Sequence, residues 1–262
     1  MDEVLVTRHG ATAVLTMNRP EARNALNIAM RDAFSTAIAQ VRDDPEVRAV
    51  VLTGAGGHFS AGGDVKGMTP GAEGPPDVFG NRDRMRAIYR WFDELVDLEK
   101  PVISAVDGSA FGAGISLALA ADFVLASPRA KFSAVFSRIG FVPDLAGLYL
   151  LPRAVGLQRA KELVYTARVV GAEEAKSIGL VYDVYEDVQA AALALAERFH
   201  SAPTGAIGLS KSMLNRTFES SRDTIYAQEA LAQTLCRESG FHKQAVQRFL
   251  DKEPALYQWD KK

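Results

Sequence analysis

Cysteine is almost absent: Cys236 stands alone in 262 residues. That excludes a disulfide framework and a cysteine zinc cluster. Histidine is scarce as well. His9, His58, His200 and His242 lie far apart, without the spacing of metal ligands, so no metal site is expected. Neither sign of charge dominates. Thirty basic residues face 32 acidic ones, for a formal net charge of −2, and the basic excess of a nucleic-acid-binding surface is missing. No apolar run approaches the ~20 residues of a membrane span. The most apolar long stretch, Val102 to Ala126, is interrupted by Asp107, Asp122 and three glycines. The acidic start, Met1-Asp2-Glu3, resembles neither a secretory signal nor a mitochondrial presequence. The expectation is a soluble protein of the cytoplasm, with neither nucleic acid nor membrane as a partner.

What is present is apolar content, at 48% of the chain. A chain of this length buries roughly 70–75% of its unfolded surface and needs no cross-link to fold. Strand and helix signals alternate along it. Val4 to Val6 and Ala13 to Met17 flank a turn at His9-Gly10 and read as a hairpin. Asn27 caps a helix to about Val41, with Met30, Phe34, Ile38 and Val41 on one face. A buried strand at Ala49–Thr53 leads into a glycine-rich loop from Gly54 to Gly63. Thr69 to Pro76 is rich in proline and glycine, and could form a lid or an ordinary surface loop. A helix follows from about Val78 to Leu98, then a strand at Val102–Val106, a short helix opened by Gly112-Ala113-Gly114, and a strand at Phe123–Ala126. After about Tyr185 only helical periodicity remains. The pattern predicts an α/β core over residues 1–195 and a helical C-terminal region over 196–262.

Common motifs fail on inspection. A dinucleotide loop at Gly54-Ala55-Gly56 needs a glycine where Phe59 stands, and one at Gly112-Ala113-Gly114 needs a glycine where Leu117 stands. There is no Gly-Lys-Ser/Thr phosphate loop. A Gly-x-Ser-x-Gly elbow around Ser60 fails because position 58 is His58. Two small-residue loops remain, each after a buried strand: Phe59-Ser60-Ala61-Gly62-Gly63-Asp64 and Asp107-Gly108-Ser109-Ala110-Phe111-Gly112-Ala113-Gly114. Such loops expose backbone N–H groups, and the second enters a helix N-terminus. Side by side they would form an oxyanion hole. The same glycines equally suit two tight strand-to-helix turns.

These loops sit among further motifs: Asn18-Arg19-Pro20, Asn24-Ala25-Leu26, Lys100-Pro101-Val102-Ile103, Ala121-Asp122, Gly140-Phe141-Val142-Pro143-Asp144, Leu151-Pro152-Arg153 and Gly179-Leu180-Val181. Together they resemble the crotonase (enoyl-CoA hydratase/isomerase) superfamily over nearly the whole chain. The resemblance implies a spiral of ββα turns with a C-terminal all-helical trimerisation region, assembled as a homotrimer or dimer of trimers. It implies an acyl-CoA substrate, coenzyme A being part of the thioester rather than a tightly bound cofactor. By position, the thioester carbonyl would lie between the N–H groups of Ala61 and Ala113. Ala22, Arg23, Ala25, Ser60, Gly63, Asp64 and Val65 would line the nucleotide and pantetheine. Phe249 and Lys252 would reach CoA on a neighbouring subunit.

The resemblance also locates two glutamates that hydratases use, and here those positions hold Ser116 and Phe136. Neither replaces a carboxylate in proton transfer. Ser116 is read as a packing residue or a substrate contact, and Phe136 as a wall of the site. Asp144 stands where aspartate-dependent isomerases of the family, such as the enoyl-CoA isomerase of phenylacetate breakdown, place their catalytic acid. The expected activity is therefore movement of a double bond in an enoyl-CoA, with Asp144 as acid and base. The alternatives are a hydratase with a non-standard site and an inert CoA-thioester-binding scaffold. From the residues alone, Asp144 also suits the cap of a helix beginning near Leu145.

Overall fold

The computed structural model describes residues 2–64 and 78–259. Val65, Lys66 and the segment Thr69–Pro76 lie outside the described residues. In chain order the elements are β1 (Val4–His9), β2 (Thr12–Met17), α1 (Ile28–Asp43), β3 (Ala49–Gly54), α2 (Val78–Val96), β4 (Val102–Val106), β5 (Ser109–Phe111), α3 (Ala113–Leu119), β6 (Phe123–Ala126) and β7 (Lys131–Ser133). There follow α4 (Gly147–Val155), α5 (Leu157–Thr166), β8 (Val170–Gly171), α6 (Ala172–Ser177), β9 (Asp183–Val184), α7 (Val188–Glu197), α8 (Thr204–Leu214), α9 (Arg222–Glu238) and α10 (Gly240–Leu250).

One sheet runs in the order β1-β2-β3-β4-β6-β9, antiparallel at β1–β2 and parallel elsewhere. Its central strands are buried on both faces, which is why β3 and β4 read as continuous apolar runs. On one face, α1 and α2 bring Phe34, Ile38, Trp91 and Phe92 onto the sheet, with Phe34 and Trp91 stacked at 5.0 Å. On the other, α7 brings Ala192, Leu195 and Ala196 against Val51, Ile103 and Leu125, and Phe199 and Ala202 extend that cluster beyond α7. Asn27 caps α1 as its sequence predicts, its side chain accepting a hydrogen bond from the Met30 N–H at 2.7 Å. Asp122 is a structural acid: its Oδ2 accepts from the Val102 N–H at 2.7 Å and from Lys211 of α8 at 2.9 Å.

A second sheet, β5-β7-β8, is built from strands of two or three residues. Isolated bridges join Ser60 to Ala110 and Leu26 to Gly63. They tie the first small-residue loop to the second and to the segment entering α1. No described helix is long and apolar enough to cross a membrane.

Candidate active site

The two small-residue loops do lie side by side. The Ser60 N–H donates to the Ser109 carbonyl at 2.8 Å, and the Phe111 N–H donates to the Ser60 carbonyl at 3.0 Å. Close approach demands glycine at two points. Gly62 has φ +96°, and a Cβ there would stand 2.6 Å from the Phe111 carbonyl oxygen and 3.2 Å from the Ala113 nitrogen. A Cβ on Gly114 would stand 2.7 Å from the Ser60 carbonyl oxygen.

Hydrogen bonding decides which N–H groups remain for a ligand. The Ala61 N–H is spent within the chain, donating to the Arg23 carbonyl at 2.9 Å. The Gly62 N–H donates to Ser60 Oγ at 3.1 Å. Among the described residues, the N–H groups of Gly63 and Ala113 enter no hydrogen bond. Ala113 is the first residue of α3, so its N–H also carries the positive end of that helix. Consecutive peptides in a loop point in different directions. The sequence located the loop, and only the bond to Arg23 reveals which of its donors is taken.

The neighbouring segment is held rigidly. Arg23 and Asn24 are both left-handed, at φ 49° and 56°. Asn24 is fully buried, and its Nδ2 donates to the carbonyls of Ala55 at 2.9 Å and His58 at 2.7 Å. Ser60 Oγ donates to the Asn24 carbonyl at 2.8 Å. The Asp64 carboxylate pairs with Arg19 at 3.1 Å, and Arg19 also donates to the Ala25 carbonyl at 2.6 Å. The side chains of Ser60 and Asp64 thus serve the loop's own architecture. Ala22 closes a short 3-10 turn, and Arg23 is exposed beside it.

Asp144 meets α3 one turn in from its start. Ser116, one turn beyond Ala113 and fully buried, donates its hydroxyl to the Asp144 carbonyl at 2.9 Å. The Asp144 side chain is half-buried, and among the described residues no donor reaches its Oδ1. Burial pushes its carboxyl above the usual aspartate range, against a smaller opposing pull from the Arg31 charge. Tyr89 of α2 is close enough to feel Asp144: burial first, then the Asp144 charge, raises its hydroxyl. Arg31 and Tyr89 carry no local sequence signal and come to Asp144 only through the packing of α1 and α2.

The capping role for Asp144 is not realised. Helix α4 starts at Gly147, its N-cap is Ala146, and no side chain caps it. Leu145 and Ala146 intervene in left-handed conformation, at φ 45° and 53°. Phe136 is buried in a short 3-10 helix, its ring tip 3.9 Å from where a Cβ on Gly112 would stand, beside the second loop. Phe249 lies on α10 with 82% of its surface exposed, and Lys252 follows that helix, also exposed. No group of metal-ligating side chains occurs among the described residues.

The comparisons agree with this architecture. The sequence model of the enoyl-CoA hydratase/isomerase family matches residues 7–261. The chain is 35% identical to the 1,2-epoxyphenylacetyl-CoA isomerase of Escherichia coli (strain K12) over 258 residues, 96% of this chain and 97% of that one. It is 36% identical to the short-chain-enoyl-CoA hydratase of Clostridium acetobutylicum, covering 96% of each. The solved enoyl-CoA hydratase/isomerase from Cupriavidus metallidurans CH34 superposes with a TM-score of 0.93 at 37% identity, over 100% of this chain and 98% of that chain. The chain belongs to the enoyl-CoA hydratase/isomerase family and has the crotonase fold.

Proposed function

We propose that the chain is an isomerase that moves a double bond in an enoyl-CoA. The observation that carries this reading is the Asp144 carboxyl, half-buried, raised in pKa and with Oδ1 unpartnered among the described residues, on a segment whose main chain is bonded to Ser116, one turn into the helix that starts at Ala113. The thioester oxygen accepts hydrogen bonds from the Gly63 and Ala113 N–H groups. As the proton beside the thioester leaves, that oxygen becomes anionic, and the two fixed donors stabilise it. Asp144 takes the proton from C2 of a 3-enoyl-CoA. The electron pair delocalises through the dienolate, and the same carboxylic acid returns the proton to C4. The double bond then lies between C2 and C3, and no atom is gained or lost. A carboxyl raised by burial suits both halves of this transfer.

Coenzyme A enters as part of the substrate, with Ala22, Arg23, Ala25 and the backbone of Gly63 along its path. Exposed Leu231 and Leu235 on α9, and Phe249 and Leu250 on α10, support assembly as a homotrimer or dimer of trimers. In that assembly Phe249 and Lys252 would meet the CoA of a neighbouring subunit.

The test is Asp144→Asn, assayed by conversion of a 3-enoyl-CoA to the 2-enoyl-CoA. Turnover should fall about 10²–10⁴-fold with thioester binding retained. The hydratase reading, favoured by the names of several relatives, requires the unaltered protein to hydrate crotonyl-CoA in preference to isomerising. The scaffold reading requires CoA-thioester binding without deuterium exchange at C2.

A further inference from the structure

Ser116 occupies a position from which a hydratase would reach its substrate with a glutamate, yet its hydroxyl is turned elsewhere. It donates to the main-chain carbonyl of Asp144, 28 residues away. The same carbonyl accepts the Gly147 N–H at 2.9 Å. A Cβ on Gly147 would stand 2.6 Å from Ser116 Oγ and 3.2 Å from the Pro143 Cβ. The hydroxyl therefore fills a space shaped by α3 on one side and the start of α4 on the other. Between this carbonyl and the Gly147 N–H, Leu145 and Ala146 hold φ values of 45° and 53°, which residues with a Cβ seldom adopt.

We propose that Ser116 is a positioning residue that sets the reach of the Asp144 carboxyl, and not a contact to substrate. It fixes the main chain at Asp144, so that the side chain enters the site from a defined point with Oδ1 left free. The left-handed pair beyond it persists because the carbonyl before it is held from two sides. This rests on Asp144 being the acid and base of the isomerisation. A displacement on the scale of 1 Å at a proton-transfer group costs up to about 100-fold in rate, so losing the tether should show in turnover before it shows in binding.

The experiment compares S116A, D144N, G147A and their doubles in the 3-enoyl-CoA isomerase assay, with the full chain. Removing the hydroxyl leaves the Asp144 carbonyl bonded to the Gly147 N–H, so S116A should fold with little change in Tm. Its kcat should fall roughly tenfold, with KM within about twofold. The acid limb of its pH–rate profile should move to lower pH as the carboxyl relaxes toward water, with Arg31 and Tyr89 the charged and titratable groups facing it. G147A should reproduce this loss by displacing the hydroxyl, and the S116A/G147A double should be no worse than either single variant. In the D144N background, S116A should cost nothing further. A raised KM with unchanged kcat, or the same fold loss in both backgrounds, would overturn the positioning role while leaving Asp144 in place. Full turnover by D144N would overturn the Asp144 reading and this proposal together.

Discussion

The α/β body and the last two helices of this chain are built from similar amounts of apolar residue, disposed in opposite ways. In the body, all six residues of β3 and all five of β4 are buried, and α1 and α7 each turn an apolar face to the sheet. In α9 only Ala232 is buried, and in α10 no residue is. Leu231, Leu235, Val246, Phe249 and Leu250 stay exposed there. The body closes its own core within one chain. The helices after it carry apolar faces that a single chain does not cover. The candidate site belongs to the body, where rigidity is available, and the proposed CoA contacts at Phe249 and Lys252 belong to the part whose apolar faces this chain leaves exposed.

The comparison breaks most readily at Phe34. It is fully buried and stacked on Trp91. Phe34→Ala should cost about 3–5 kcal/mol, measured by urea unfolding. A cost near zero would mean that α1 does not anchor the body. A smaller effect of opposite sign is expected at the site. Asp144 has a folded-state pKa raised by burial, so its unfolded form loses the proton first as pH rises. The resulting penalty is absent below the ordinary aspartate pKa of 3.8 and complete once pH passes the raised value. Asp144→Asn should therefore raise Tm at neutral pH by a few degrees, and lose that advantage near pH 3. An equal gain at both pH values would show that ionisation is not its cause. The least effect on a single chain is expected from Leu231→Ser with Leu235→Ser. Unfolding at high dilution should change by less than about 0.5 kcal/mol, while light scattering should report a lower mass. An unchanged mass would separate those faces from assembly.

How much of this was legible beforehand depended on element length. The hairpin, α1 with its Asn27 cap, β3, α2, β4 and β6 have four or more residues each and were readable from strand alternation, continuous apolar runs or helical spacing. The strands β5, β7, β8 and β9 have two or three residues, too few to show alternation, so the second sheet was missed. At the site, the sequence located both loops and singled out Asp144. It pointed to the Ala61 N–H, which the structure finds bonded to the Arg23 carbonyl, because the orientation of a loop peptide is set by its partners. It suggested a helix near Leu145 because nothing local announces two left-handed residues, Leu145 and Ala146, ahead of Gly147. Leu145 is buried, and its packing overrides the preference of its backbone.

The contact between Gly147 and Ser116 has a consequence for how such a site changes over generations. A Cβ at 147 would fall 2.6 Å from the Ser116 hydroxyl, so what is tolerated at either position depends on the other. A lineage passing between a carboxylate at 116 and one at 144 meets this pair as an epistatic gate. The order of substitutions matters, and intermediates with bulk at both 116 and 147 carry a cost in turnover.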